Sequence, residues 1–452
     1  MNKPTEKGLV PDLRFPEFKN DGDWCFNELG SKTKKVGSGI TPKGGDKNYK
    51  SAGVPFVRSQ NIGWGSLILE NIAFIEEEVH QSFSGTEIKK NDVLLNITGA
   101  SIGRSAIADQ RVTGGNVNQH VCIIRTKLKE LHPVYLCQFI LSPNGQLQID
   151  SFQAGGNREG LNFAQIRSFS IPIPPNVEEQ QKIADCLSSL DELLSAHNQK
   201  LDALKAHKKG LMQQLFPAEG ETVPKFRFPE FQDAGDWEEV TFGKVIKINS
   251  GKGFKASEYS KKGIRLLQIE NVGYGETKWN ENTIFLPETY ATEYPELVLR
   301  NGDIVLALNR PVTNDELKIA RILKDDEPSI LYQRVGKLEV IDKSLTVDFA
   351  FHICRQFIKE FVISKSIGSD QPFISLRDLY AQSILISLPT EQQKIASCLS
   401  SIDELITAQS QKIEALKAHK KGLMQQLFPT FGGDSIDAED RAMQNAKVEV
   451  SA

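Results

Sequence analysis

A long internal repeat constrains this chain more than any other feature. The segment Glu179–Pro217, EQQKIADCLSSLDELLSAHNQKLDALKAHKKGLMQQLFP, returns at Glu391–Pro429 with 31 of 39 positions identical at an offset of 212. A second landmark, Leu13-Arg-Phe-Pro-Glu-Phe18, returns as Phe226-Arg-Phe-Pro-Glu-Phe231, each followed by an Asp-Trp pair, Asp23-Trp24 and Asp236-Trp237. The chain is therefore two copies of one unit, about 13–217 and 226–429. Its 452 residues are too many for one ordinary core, and the repeat says where they divide. The expected order is an N-terminal segment 1–23, a variable domain 24–177, a helical spacer 178–217, a linker 218–236, a second variable domain 237–389, a second helical spacer 390–429 and an acidic flexible tail 430–452.

Between the matching ends the copies diverge while keeping one layout. Each has a strand-like segment (Val54–Arg58, Ile264–Ile269), an Asn-Asp or Asn-Gly-Asp turn into an apolar strand (Asn91-Asp92-Val-Leu-Leu, Asn301-Gly-Asp-Ile-Val-Leu-Ala) and a helix-like stretch (133–149, 347–366). Each then leaves through prolines, Ile171-Pro-Ile-Pro-Pro175 and Ile386-Ser-Leu-Pro389. One scaffold carrying two different surfaces is the pattern of two separate readers; drift of a duplicated domain is the bland alternative.

The repeated segments carry a heptad seam. Apolar residues fall at Ile183, Leu187, Leu190, Leu194, Leu201, Leu204, Leu211 and Leu215, interrupted at His197 and Lys208. The second copy has Ile395, Leu399, Ile402, Ile406, Ile413, Leu416, Leu423 and Leu427, interrupted at Gln409 and Lys420. Each predicts one long helix of about 57 Å at 1.5 Å per residue. A lone amphipathic helix exposes its seam, so its near-copy is the natural partner, and a pseudo-twofold relation makes the pair antiparallel. The polar interruptions are expected to set register. A seam fixes only apolar character, so the identity of the outer residues needs a second cause: a common partner or recent duplication.

Several functions lack their chemistry. There is no Gly-x-x-x-x-Gly-Lys-[Ser/Thr] phosphate loop, and no Asn/Asp-Pro-Pro-Tyr/Phe methyltransferase element; Gly37-Ser-Gly39 and Gly251-Lys-Gly253 are weak cofactor signals. The nearest nuclease-like string, Asp12…Glu17-Phe-Lys19, fails in the second copy, where Lys225 and Gln232 stand instead. Six cysteines show no metal spacing and read as free thiols. No apolar run is long enough for a membrane span and the start shows no secretory leader, so a cytoplasmic protein is expected. The net charge of −4 does not announce a nucleic-acid binder; the 24–176 stretch, with 16 basic against 12 acidic residues, is the more basic half.

A variable domain, an exit such as Ile-Pro-Ile-Pro-Pro, then Glu-Glu-Gln-Gln-Lys-Ile-Ala-Asp-Cys-Leu and a long helix ending Gly-Leu-Met-Gln-Gln-Leu-Phe-Pro: this arrangement resembles type I restriction-modification specificity subunits, in both copies and up to about Pro429. Val54-Pro-Phe-Val-Arg-Ser-Gln-Asn-Ile62 and Asn91-Asp-Val-Leu-Leu-Asn-Ile-Thr-Gly-Ala-Ser-Ile-Gly103 also look like family sequence. The second domain keeps Leu267-Gln-Ile-Glu-Asn-Val272 but has Leu308-Asn-Arg-Pro-Val-Thr313 in place of Thr-Gly-Ala-Ser-Ile-Gly. The resemblance implies an α+β chain of two target-recognition domains joined by two long antiparallel coiled-coil helices. Each domain would read half of a split, asymmetric site in double-stranded DNA, with the helices fixing the gap. It further implies two methyltransferase subunits using S-adenosylmethionine and motor-nuclease subunits using ATP and Mg, with no cofactor and no catalysis in this chain. A protein-protein scaffold with two variable binding domains is the rival from another class.

DNA readers use Arg, Lys, Asn and Gln at base edges and Lys, Arg, Ser or Thr at phosphates. The loop candidates in the first domain are Lys43, Lys47, Arg58, Gln60, Asn61, Thr98, Ser101, Arg104, Asn118, Gln119, Asn157 and Arg158. Those in the second are Lys252, Lys255, Gln268, Asn271, Asn309, Arg310, Gln333, Arg334 and Gln371. Trp64 and Tyr274, each between glycines, occupy equivalent turns and are turn aromatics or rings near the DNA.

Overall fold

The computed structural model describes residues 9–153, 160–365 and 374–429. Contacts divide these into two compact units: 9–198 with 411–429, and 199–410. The division points fall inside the two long helices, so each unit holds a piece of both and the variable domains are not separate from their spacers.

The first unit contains strands β1 (Cys25–Glu28), β2 (Thr33–Ser38), β3 (Val54–Val57), β4 (Ala73–Ile75), β5 (Val93–Asn96), β6 (Ser105–Ile107), β7 (Asn116–Val117), β8 (Val121–Thr126) and β9 (Ser170–Ile173). Its helices are α1 (Glu77–Ser82), α2 (Pro133–Leu141), α3 (Pro143–Gln153), α4 (Phe163–Arg167) and the first part of α5 (Val177–Leu215). An antiparallel sheet in the order β2-β8-β5-β6 faces a smaller one, β4-β3-β7, while β1 and β9 form a separate ribbon. The expected helix over 133–149 is two helices. Pro143, with no N–H to donate, opens the second, and Ser142 before it is extended at ψ 159°.

The second unit repeats this plan. It has β10 (Glu238–Thr241), β11 (Ile246–Ser250), β12 (Ile264–Leu267), β13 (Tyr274–Glu276), β14 (Phe285–Leu286), β15 (Val298–Leu299), β16 (Ile304–Ala307), β17 (Val312–Thr313), β18 (Glu316–Leu317), β19 (Ile319–Arg321), β20 (Ser329–Leu331), β21 (Val335–Val340) and β22 (Ser383–Ile386). Helices α6 (Phe242–Val245), α7 (Tyr290–Glu293), α8 (Val347–Lys365) and α9 (Leu376–Tyr380) precede α10 (Pro389–Leu427). The sheet orders β11-β21-β16-β19-β13 and β14-β12-β20-β15 match those of the first unit with one strand added to each, and β10-β22 repeats the ribbon.

The expected turns have one construction in both copies. Asn91 and Gly302 take positive φ, and Asp92 and Asp303 each accept a backbone N–H three residues back, from Lys89 at 2.7 Å and Arg300 at 2.8 Å. Arg125 and Lys337 on the adjacent strand then neutralise the two carboxylates. The glycine pairs have a packing role. A Cβ at Gly39 would stand 1.6 Å from the carbonyl oxygen of Val117, and one at Gly251 would stand 2.3 Å from that of Leu331.

The repeated landmarks meet in space. Arg14 forms a bidentate pair with Glu179 at 2.8 Å, and Arg227 repeats it with Glu391 at 2.7 and 2.8 Å; both arginine side chains are 7% exposed and both glutamates 1%. The 218–236 stretch expected as a linker is thus tied down, with Phe226 N–H also donating to Gln214 O. The neighbouring glutamines finish the junction: Gln180 accepts from His132 N–H and Gln392 from Thr346 N–H, both at 2.8 Å.

Within each unit the two helix segments run antiparallel. In the first, Ile183, Ala184 and Leu187 share a core with Leu423, Met424, Leu427 and Phe428, and Lys420 pairs with Asp191 at 2.5 Å. In the second, Leu215 and Phe216 share a core with Ile395, Ala396 and Leu399, and Lys208 pairs with Asp403 at 2.5 Å. The two ion pairs are one pair exchanged, since Asp191 and Asp403, like Lys208 and Lys420, are 212 residues apart. Two polar seam interruptions are therefore cross-helix ion pairs. Phe428 packs edge-on to Tyr135 and Phe139, at 5.4 Å in each case, so the last described turn completes the first unit's core.

Burial first, then the Arg355 guanidinium, lowers the Lys208 ammonium to about 8 against the pull of Asp403. Its ordinary value is 10.5, so the folded chain holds fewer protons than the unfolded chain between those values. From this site, stability rises with pH across that window. Lys208→Met should remove the rise, as read by denaturant titrations at pH 8 and pH 10. Arg14→Met, which leaves the buried Glu179 carboxylate without its cation, should cost about 3 kcal/mol, and Arg14→Met with Glu179→Leu should recover much of that in calorimetry.

Candidate nucleic-acid interface

In the first unit, β8 begins beside the ends of both its neighbours, Ser38 facing Cys122 and Asn96 facing Val121. Val57, at the end of β3, faces Val117 in the smaller sheet. The loops leaving β2, β3 and β5 therefore gather around residues 117–120. The same holds in the second unit, where Ser250 faces Gly336, Ala307 faces Val335 and Leu267 faces Leu331. The loops these strand ends carry differ in sequence between the two copies.

Most of the predicted residues lie on these loops. Lys43, Lys47, Gln60 and Gln119 are exposed, and Arg58, Thr98, Ser101 and Arg104 are half-buried. Arg58 stacks on Tyr49, 4.9 Å from the ring centre, while its Nη2 donates to Asn71 O at 3.0 Å. In the second unit Lys252, Lys255, Arg310, Gln333 and Arg334 are exposed, and Gln268 and Asn309 are half-buried. The Lys252 ammonium stands 3.9 Å from the centre of the Tyr294 ring, and Arg310 is held at φ +46°. Where the second domain departs from the family sequence, the chain forms a hairpin, β17 against β18, turned by Asn314 and Asp315 at positive φ.

Three of the candidate asparagines are buried. Asn61 and Asn271 are 1% and 3% exposed, and their amides are spent on backbone: Asn61 accepts from Arg58 N–H and donates to Ile68 O, and Asn271 accepts from Gln268 N–H and donates to Lys278 O. Asn118, 7% exposed, accepts from His120 N–H at 3.1 Å. Asn61 and Asn271 brace the loops through both atoms of their amides, and Asn118 braces its turn through its oxygen. Asn157, Arg158 and Gln371 lie outside the described residues.

Thr41 and His120 escaped the sequence reading. The Thr41 hydroxyl donates to Gln119 Oε1, Gln119 Nε2 meets His120 Nε2 at 3.1 Å, and His120 Nδ1 meets Thr98 Oγ1 at 2.6 Å. The signal available for His120 was its place directly after Asn118-Gln119. At the equivalent turns, Trp64 is 58% exposed and Tyr274 shares a hydrogen bond with Thr313 at 2.7 Å.

All six cysteines are free thiols, and burial raises Cys122 and Cys137 to about 12, so neither is a ready thiolate. Burial first, then nearby cations, lowers His352 to about 3 and holds it neutral. Among the described residues no cluster of His, Cys, Asp or Glu could hold a metal ion, and no helix is long and apolar enough to cross a membrane.

An α+β unit present twice, with matching strand orders and different strand-end loops, makes this a two-domain repeat protein. The chain belongs to the type I restriction modification DNA specificity domain family, whose model matches residues 23–206 and again 234–418. It is 36% identical over 348 residues to the type I restriction enzyme MjaVIII specificity subunit of Methanocaldococcus jannaschii, covering 75% of this chain and 79% of that one. Among solved structures, the type I restriction-modification S subunit from M. genitalium superposes with a TM-score of 0.58 at 17% identity, over 94% of this chain and all of that one. A chain from a structure concerned with complex assembly and conformational transition of the type I system gives 0.50 at 16% identity, over 90% of this chain and 97% of that one.

Phosphate contacts and base contacts predict different phenotypes. On the proposal that the loops of the second unit meet DNA with Lys252 and Lys255 at phosphates, Lys252→Ala and Lys255→Ala should each reduce the slope of log affinity against log salt by about 1 and leave base preference unchanged. If Arg334 instead meets a base edge, Arg334→Ala should also relax one base position. Salt titrations of the assembled complex on matched and mismatched duplexes separate the two.

Proposed function

We propose that this chain is the DNA-recognition subunit of a type I restriction-modification complex, and that each loop cluster reads one half of a bipartite, asymmetric site in double-stranded DNA. The observation that carries this is one scaffold present twice, with the helices nearly identical and the strand-end loops different. Identical scaffolds place two readers in equivalent settings; different loops give them different bases to read.

On this reading the paired helices set the gap between half-sites, and the residues repeated on their outer faces, such as Lys205, His207 and Lys209, dock two methyltransferase subunits. S-adenosylmethionine belongs to those subunits, and ATP and Mg to motor-nuclease subunits. This chain supplies binding and orientation and no chemistry. Such a complex works in the cytoplasm, where the DNA is.

Co-expression with its methyltransferase subunit and single-molecule mapping of N6-methyladenine should give a split asymmetric motif that depends on this chain. Methylation indifferent to the chain would favour a scaffold. Exchanging Trp24–Pro175 for the first domain of another family member should change one half-site only; a change in both would contradict the two-reader reading. Lengthening both helices by equal insertions should widen the gap and leave both half-sites intact.

A further inference from the structure

We propose that His120 is a positioning residue that fixes the amide of Gln119 for adenine readout in the half-site of the first domain; this rests on the function proposed above. An amide nitrogen only donates, so the 3.1 Å contact makes His120 Nε2 the acceptor of a Gln119 N–H. The ring hydrogen is then on Nδ1 and is donated to Thr98 Oγ1 at 2.6 Å. Gln119 Oε1 already accepts from the Thr41 hydroxyl. A threonine hydroxyl can donate or accept and would tolerate either amide orientation, whereas Nε2 of this tautomer accepts only. His120 therefore decides which way the amide faces.

The ring is itself held by the scaffold. His120 N–H donates to Asn118 Oδ1 at 3.1 Å, and its carbonyl accepts from Ile97 N–H at 3.0 Å, which ties it to the loop leaving β5. Gln119, by contrast, is exposed. With one N–H and one oxygen lone pair already used, its amide still has one N–H and one lone pair to offer, with nitrogen and oxygen in a fixed order. That pair complements adenine in the major groove, where N7 accepts and the N6 amino group donates. A free amide would offer the reversed order half the time and order its side chain only on binding, at an entropic cost.

The test uses the full complex with its methyltransferase subunits and a map of N6-methyladenine motifs. Gln119→Ala should relax one A·T pair in the half-site of the first domain by about tenfold or more. His120→Asn keeps a donor for Thr98 and gives up the acceptor for Gln119, and should relax the same pair. His120→Gln restores an acceptor near the Nε2 position and should retain the preference. A purely structural histidine would not separate these two variants. An unchanged second half-site in every variant shows that the chain has folded. The proposal is overturned if Gln119→Ala relaxes a G·C pair or none, or if the two His120 variants behave alike. A wild-type complex with no split motif at all would instead remove the reading on which it rests.

Discussion

A buried carboxylate in the first turn of each long helix is the point on which the rest of each unit depends. Glu179 and Glu391 are favoured there by the positive end of the helix dipole, yet buried charge is costly until a cation arrives. Arg14 and Arg227 supply it from motifs about 165 residues earlier in the chain, with both guanidinium edges engaged. The adjacent Gln180 and Gln392 hold the backbone at the start of α2 and α8. Three distant stretches of sequence thus converge on one helix start, in the same way twice.

The helix pairs follow from that anchor. Once α5 and α10 are fixed at their starts, antiparallel pairing within each unit matches apolar seam to apolar seam and Asp to Lys. The ion pairs add direction, because a shift of one residue would leave a partly buried lysine facing apolar side chains. The same pairing brings Phe428 into the first core and Phe216 into the second, where it packs on Trp237 and Phe349. Much of the identity between the repeated segments is accounted for by these internal duties. The exposed positions that also repeat are not accounted for by these duties.

With the scaffold secured in this way, the strand-end loops are free to differ. The braces inside them are conservative, as in the matching roles of Asn61 and Asn271, while the groups at the surface differ in kind. One unit presents a glutamine held between a threonine and a histidine; the other presents a lysine on a tyrosine ring and a hairpin absent from its counterpart. One frame thus carries two different sets of loop residues.

The sequence by itself determined the duplication, the two long helices with their seams and the Asn-Asp and Asn-Gly-Asp turns, because each is a local pattern of period, turn chemistry or repetition. It could not show that Arg14 and Glu179 are partners, that Lys208 faces Asp403, or that the last turn of α10 belongs to the core of the first unit, since these are contacts between residues far apart in the chain. Nor could it tell Asn61 from Gln60: both are polar loop residues, and only the tertiary structure decides which amide is consumed by backbone and which faces solvent. The break at Pro143 is carried by a local signal, a proline with no N–H, which the expectation of one helix over 133–149 passed over. Composition and period report what a segment is able to form, whereas burial and hydrogen-bond partnership depend on what the rest of the chain brings to it.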